Sequence, residues 1–245
     1  GQRGNDLHRG RRHEDEEPAP AKRMSSAARS AKKAVREFGD LQVQLISRVD
    51  EMVTSGCPLV DLTSYGDQVS SIIEGEQWHV DGEEFGPLQN RVDEIEKMSR
   101  TLADSRVPVS LDHGDLGPWQ IILAEQPCFL DCSDSCLTHP FLILFLFFDY
   151  LEGVRANGRE SIKQLLSDEA TIRQELTLSY LAAWQDYGTE VDLVAEFEVA
   201  QSLGPIHVAL KFARLLPHGF DSQWDLAGSV PQYLKKFIEQ SETPS

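Results

Sequence analysis

Long hydrophobic runs are missing from this chain of 245 residues. The longest, Phe141 to Phe148, is far short of the ~20 apolar residues that a membrane-spanning helix needs. No apolar segment resembling a signal peptide opens the sequence, so the expected location is cytoplasmic, with no membrane partner. Cysteine is scarce. Cys57, Cys128, Cys132 and Cys136 do not suggest a secreted disulfide scaffold. Three of them recur at four-residue spacing, but on a strand and a loop, whereas zinc sites use pairs in two separate knuckles. A structural or incidental role is the plainer expectation. Basic residues are in deficit, and the net charge is −17. Residues 1–37 carry ten Lys+Arg against six Asp+Glu, and the remainder 13 against 34. So acidic a body argues against a nucleic-acid partner, which needs clustered Lys and Arg. It suits a cationic small substrate such as an amino sugar, although acidity for solubility alone is the plainer reading. Glycines ahead of residue 115 are scattered and form no G-x-G-x-x-G.

Hydrophobic residues make up 40%, enough for a real core. Residues 1–23 have almost nothing to bury and read as a disordered basic tail. Residues 24–245 read as one mainly α domain with a small β-hairpin near its middle. Val35, Phe38, Leu41, Leu45, Val49 and Met52 repeat at helical spacing and predict one helix from Ser26 to Thr54, stopped by Gly56 and Pro58. Further helices are predicted over about 61–74, from Pro87 to about 104, and from Phe141 to about Gly153. Others run from Ser167 or Asp168 to Trp184, over 191–203, over 205–216 after a break at Gly204-Pro205, and over about 230–240. Ala156-Asn157-Gly158 reads as a turn and 219–228 as a loop. The helix after Thr138, its predicted cap, is apolar nearly all round and should be the central buried one.

The densest chemistry is Leu111-Asp112-His113-Gly114-Asp115-Leu116, with Asp131 downstream. Between them two apolar runs, Ile121-Ile122-Leu123 and Phe129-Leu130, flank Ala124 to Pro127 and predict a hairpin with a four-residue turn. Pairing 123 with 128 sets Gln120 opposite Asp131 at the open end, with Asp115 in the loop leading into it. Such an oxygen-rich corner suits a hard cation such as Mg²⁺ beside a free carboxylate, as phosphoryl transfer requires. A rival enzyme reading gathers His113, Asp115, Asp131, Asp134 and His139 into a hydrolytic metal centre.

His113-Gly114-Asp115, four residues, Gln120, a hairpin, Asp131-Cys132-Ser133-Asp134 and then Thr138-His139-Pro140-Phe141 resemble the catalytic and metal loops of the aminoglycoside phosphotransferase family. That family shares the protein-kinase-like fold, and the similarity runs from about Ala34 to about Lys236. The resemblance implies an ATP- and Mg²⁺-dependent phosphotransferase to a hydroxyl of a small molecule. It makes Asp115 the catalytic base, Asp131 a metal ligand aided by Gln120, and His113 a brace for the loop. Three departures stand beside it. Gln120 replaces the family's Asn, and apolar Ile143 and Leu144 occupy positions where relatives carry a carboxylate. The Gly-rich loop and strand lysine of a nucleotide-binding lobe are not found. The expected fold is therefore a kinase-like C-terminal lobe with the N-terminal lobe absent, incomplete or inactive alone. The alternative is a non-catalytic kinase-like helical binding module. A bare lobe exposes the surface its partner would cover, so self-association is also expected. Glu83, Glu84 and Asp186 are plausible acidic lining, and Trp119 a shield or packing residue for the loop.

Overall fold

The computed structural model describes residues 26–75, 82–157, 169–215 and 228–240. They are mostly helical, with two small antiparallel sheets of two strands each, in keeping with the expected mainly α class. The basic tail, the start of the helix at 167 or 168 and most of the 219–228 loop lie outside the described residues.

Helix α1 (Ser26–Leu45) buries Val35, Phe38 and Gln42 on one face. A 3₁₀ turn at Ile46–Arg48 separates it from α2 (Val49–Thr54), so the stretch predicted as one helix is broken once. Neither the turn nor α2 buries a residue, so no packed face holds this end straight. Helices α3 (Tyr65–Glu74), α4 (Gly82–Gln89) and α5 (Val92–Ala103) follow. Pro87, predicted to open a helix, instead sits inside α4. Buried Phe85 and Leu88 on either side hold it helical, at the loss of one backbone hydrogen bond.

Strands β1 (Ser110–Asp112) and β4 (Cys136–Thr138) pair, with Ser110 opposite Thr138, Leu111 opposite Leu137 and Asp112 opposite Cys136. Leu137 also bonds to the chain after α2: its N–H donates to the Pro58 carbonyl (2.7 Å) and its carbonyl accepts from Val60 (2.9 Å). Strands β2 (Ile121–Ile122) and β3 (Cys128–Phe129) form the predicted hairpin, but one residue out of register. Ile121 faces Phe129 and Ile122 faces Cys128, so the turn has five residues and Gln120 pairs with Leu130 rather than Asp131.

Thr138 belongs to β4 and is not the helix cap; His139 takes that role, its ring accepting from the Phe141 N–H. A 3₁₀ turn over Pro140–Leu142 leads into α6 (Ile143–Asn157). Ala156 and Asn157, predicted as a turn, are still helical. Residues 141–148 are all buried, which makes α6 the expected central helix. Phe141 meets Tyr180, Trp184 and Phe197 ring to ring around its start. Helix α7 (Glu169–Leu181) packs on α1, and α8 (Glu190–Leu215) packs on α3, α5, α6 and α9 (Ser229–Gln240). No helix among the described residues is long and apolar enough to cross a membrane.

Helix α8 runs straight through Gly204-Pro205, where the sequence predicts a break. Proline costs an interior helix ~3 kcal/mol, but residues 203–211 are all buried, and burying a single Leu or Ile side chain offsets ~1.5–3 kcal/mol. Gly204 lets Phe145 of α6 lie directly on the helix: a Cβ there would stand 2.3 Å from the Phe145 ring. Gly204→Ala should therefore overpack this contact and destabilise the fold by about 1–3 kcal/mol. Urea unfolding followed by circular dichroism measures it; an unchanged midpoint would show that α8 tolerates separation from α6.

Candidate functional site

The loop from Asp112 to Gln120 leaves the end of β1 and enters the hairpin. Its inner wall is a buried polar network. Asp112, 1% exposed, accepts from the Gly114 N–H through Oδ1 (2.7 Å), and its Oδ2 lies 3.0 Å from His207 Nε2 on α8. The Tyr65 hydroxyl of α3 is 2.5 Å from the other ring nitrogen. One turn on from His207, buried Lys211 donates to the Gly114 carbonyl (2.6 Å) and stands 4.0 Å from the Asp134 carboxylate. Burial pushes Asp112 toward neutrality, but the His207 hydrogen bond and charge, the Gly114 amide and Lys211 together hold its pKa below the ordinary carboxylate value. Burial lowers the Lys211 pKa against the pull of Asp134, Asp115 and Asp112.

Gly114 has φ +81°, in the left-handed region, and a Cβ on it would come 2.2 Å from the Asp134 carbonyl oxygen. No other residue fits that turn. His113 is fully buried, and its Nε2 donates to the Leu130 carbonyl (2.8 Å), since a carbonyl only accepts. The Leu130 N–H in turn donates to the Gln120 carbonyl (2.9 Å). The loop and the hairpin's open end are thus tied together, and His113 acts through the backbone as expected of a brace.

Asp115 emerges from this frame half-buried. Its Oδ1 accepts from the Tyr150 hydroxyl of α6 (2.6 Å), and its Oδ2 receives a long contact from Gln120 Nε2 (3.4 Å). Burial, then the hydrogen bond and charge of Asp115, drive the Tyr150 pKa up, so this phenol is a donor and not a base. Trp119 lies on the Tyr150 ring, centroids 4.6 Å apart, and is itself half exposed. The structure brings Asp115 and Gln120 together. It leaves Asp131 exposed, with φ +60° and the Ser133 hydroxyl on its Oδ1 (2.8 Å), in hydrogen bond to neither. Ile143 and Leu144 are buried and offer the loop no carboxylate.

The rival hydrolytic centre does not assemble. Both ring nitrogens of His139 are engaged, Nε2 with Glu196 (2.6 Å) and Nδ1 with the Phe141 N–H, while His113 commits Nε2 to Leu130 and buries Nδ1 without a partner. Cys128 and Cys132 are exposed and Cys136 is buried, so the three spaced cysteines do not converge. Glu84 pairs with Lys235 (2.6 Å), Asp186 is exposed, and the Glu83 side chain lies outside the described residues.

Asp112, His207 and Lys211 were not singled out from the sequence. One signal existed: His207 and Lys211, four apart, interrupt the otherwise apolar run 203–211, and a polar group in such a run needs a buried partner. No family model, no curated protein and no solved structure matches this chain.

Leaving buried polar partners without their hydrogen bond costs ~1–3 kcal/mol, more where a charged group is involved, so Asp112→Asn should weaken the fold by that order at neutral pH. Because its folded pKa is depressed, Asp112 stabilises fully above its unfolded value of about 3.9. That stability is lost as pH falls through the folded value. The gap between wild type and Asp112→Asn in urea unfolding should therefore narrow as the pH falls below about 4. A gap that stays the same on acidification would show that the carboxylate carries no charge at neutral pH.

Proposed function

We propose that this chain carries the catalytic lobe of an ATP- and Mg²⁺-dependent phosphotransferase acting on a hydroxyl of a small molecule, of the aminoglycoside phosphotransferase kind. The observation that carries the reading is the Asp115 carboxylate, held between Tyr150 and Gln120 where the braced loop meets the hairpin. Asp115 accepts the proton of the acceptor hydroxyl as the hydroxyl oxygen attacks the γ-phosphorus and the bond from that phosphorus to the β–γ bridging oxygen breaks, releasing ADP. Gln120 turns its amide nitrogen toward Asp115, which leaves the amide oxygen for a cation. Asp131, one residue past the Leu130 that pairs with Gln120, supplies a carboxylate at the same end of the hairpin. These oxygens fit Mg²⁺, which takes one or two protein carboxylates and completes its shell with phosphate and water. A bound Mg²⁺ supplies charge neutralisation on the β- and γ-phosphates. The acidic surface suits a cationic acceptor, and an N-terminal lobe or a second copy is the partner proposed to cover the hairpin.

One observation favours the second reading, a non-catalytic kinase-like binding module. Tyr150 already occupies one Asp115 oxygen, and Asp131 has turned to Ser133. In that reading the brace survives for its packing.

Calorimetry with ATP and Mg²⁺, then phosphate transfer to a panel of amino sugars and amino alcohols, separates the two. The first reading expects magnesium-dependent nucleotide binding, and Asp115→Asn should cut transfer by about 10²–10⁴-fold while binding persists. No nucleotide binding by the full chain would leave the binding module.

A further inference from the structure

We propose that Asp112, Cys136 and His207 form a site for a divalent transition-metal ion of the zinc type, behind the Asp115 loop. This site is separate from the proposed magnesium corner and stands whether or not the chain transfers phosphate. The three residues come from three elements, and one ligand atom of each lies within 4.8 Å of the others. Asp112 and Cys136 are direct partners across β1 and β4, and α8 brings His207 onto them.

The donor set decides the ion. One carboxylate oxygen, one imidazole nitrogen and one thiolate sulfur suit zinc, whereas Mg²⁺ and Ca²⁺ take oxygen alone. Zinc bonds of about 2.0 Å to O and N and 2.3 Å to S set neighbouring ligands about 3.0–3.6 Å apart. Asp112 and His207 are already 3.0 Å apart, so closure requires the Cys136 sulfur, within 4.8 Å of both, to draw in. Both first ligands have outer partners of the sort that fix metal ligands. The Gly114 N–H holds Asp112 Oδ1, and the Tyr65 oxygen, 2.5 Å from His207 Nδ1, is placed to accept from Nδ1–H once Nε2 is given to the ion. Asp112 and a Cys136 thiolate supply two negative charges to a dication; burial pushes the Cys136 thiol up to about 12, and Arg214 beside the sulfur favours the thiolate.

A cavity of about 190 Å³ lined by Tyr65, His207, Lys211 and Arg214 reaches the His207 side of the triad and could hold a water. On binding, the Cys136 S–H proton leaves to solvent as a metal–sulfur bond forms, and the His207 proton moves from Nε2 to Nδ1, where the Tyr65 oxygen accepts it, so that Nε2 exchanges its bond with Asp112 for the ion.

The test uses the full chain, freed of metal by chelator dialysis and titrated with Co²⁺. The expected result is a thiolate-to-cobalt charge-transfer band that saturates at equimolar metal and is abolished by added Zn²⁺. A variant with Cys57, Cys128 and Cys132 all changed to Ser leaves the buried triad intact and should keep the band, whereas Cys136→Ser should lose it. No band in the wild type, or a band lost in the triple variant, overturns the proposal whatever the folding of Cys136→Ser.

Discussion

The contact between Asp112 and His207 is the constraint on which the site depends. The two residues are 95 apart in sequence and 3.0 Å apart in the buried interior. A buried carboxylate with no partner costs several kcal/mol, so the end of β1 has little freedom to leave α8. Lys211, one turn along the same helix, fixes the next carbonyl of the loop. The Gly114 turn then aims the chain outward at Asp115, and Tyr150 and Trp119 close over that residue from α6 and the loop itself. Continuity of α8 across Gly204-Pro205 matters for the same reason. A kink there would swing His207 and Lys211 away from the loop.

Chemically the frame separates two jobs. Charges that hold the loop are buried, and the carboxylate that could act on a substrate hydroxyl lies toward the surface. Asp115 is the residue between them, half-buried and within reach of solvent. A rigid inner wall with a polar mouth is the usual way a fold sets a reactive side chain without strain at the reactive atom. That logic serves phosphoryl transfer, in which positioning and electrostatics do nearly all the work. It would also survive in a module that binds without turnover, because the packing of α8 against β1 does not depend on catalysis.

Much of the architecture was legible. The three- and four-residue spacing of Val35, Phe38, Ile95 and Leu102 marks faces that the structure buries, and the all-round apolar run 141–148 announces the central helix. The hairpin was visible but its register was not. Two-residue strands with apolar side chains on both faces give no alternation to fix pairing, and a slip of one costs little. Pro87 and Pro205 misled because local helix-breaking loses to burial on both sides, which a single sequence does not display. Asp115, Gln120 and His113 were found because they are close together in the chain. Asp112, His207 and Lys211 were not, because their meaning lies in a contact between distant segments. The β1–β4 pairing was missed for the same reason.

Hydrogen exchange at the Gly114 amide tests this account most directly. That N–H donates to Asp112 Oδ1 inside the network held by His207 and Lys211. If the pair anchors the loop, the amide should exchange only through the same opening that frees the core amides of α8, with comparable protection. Exchange at a rate typical of exposed loops, with the α8 amides still protected, would show that the loop moves independently of the pair and contradict the account.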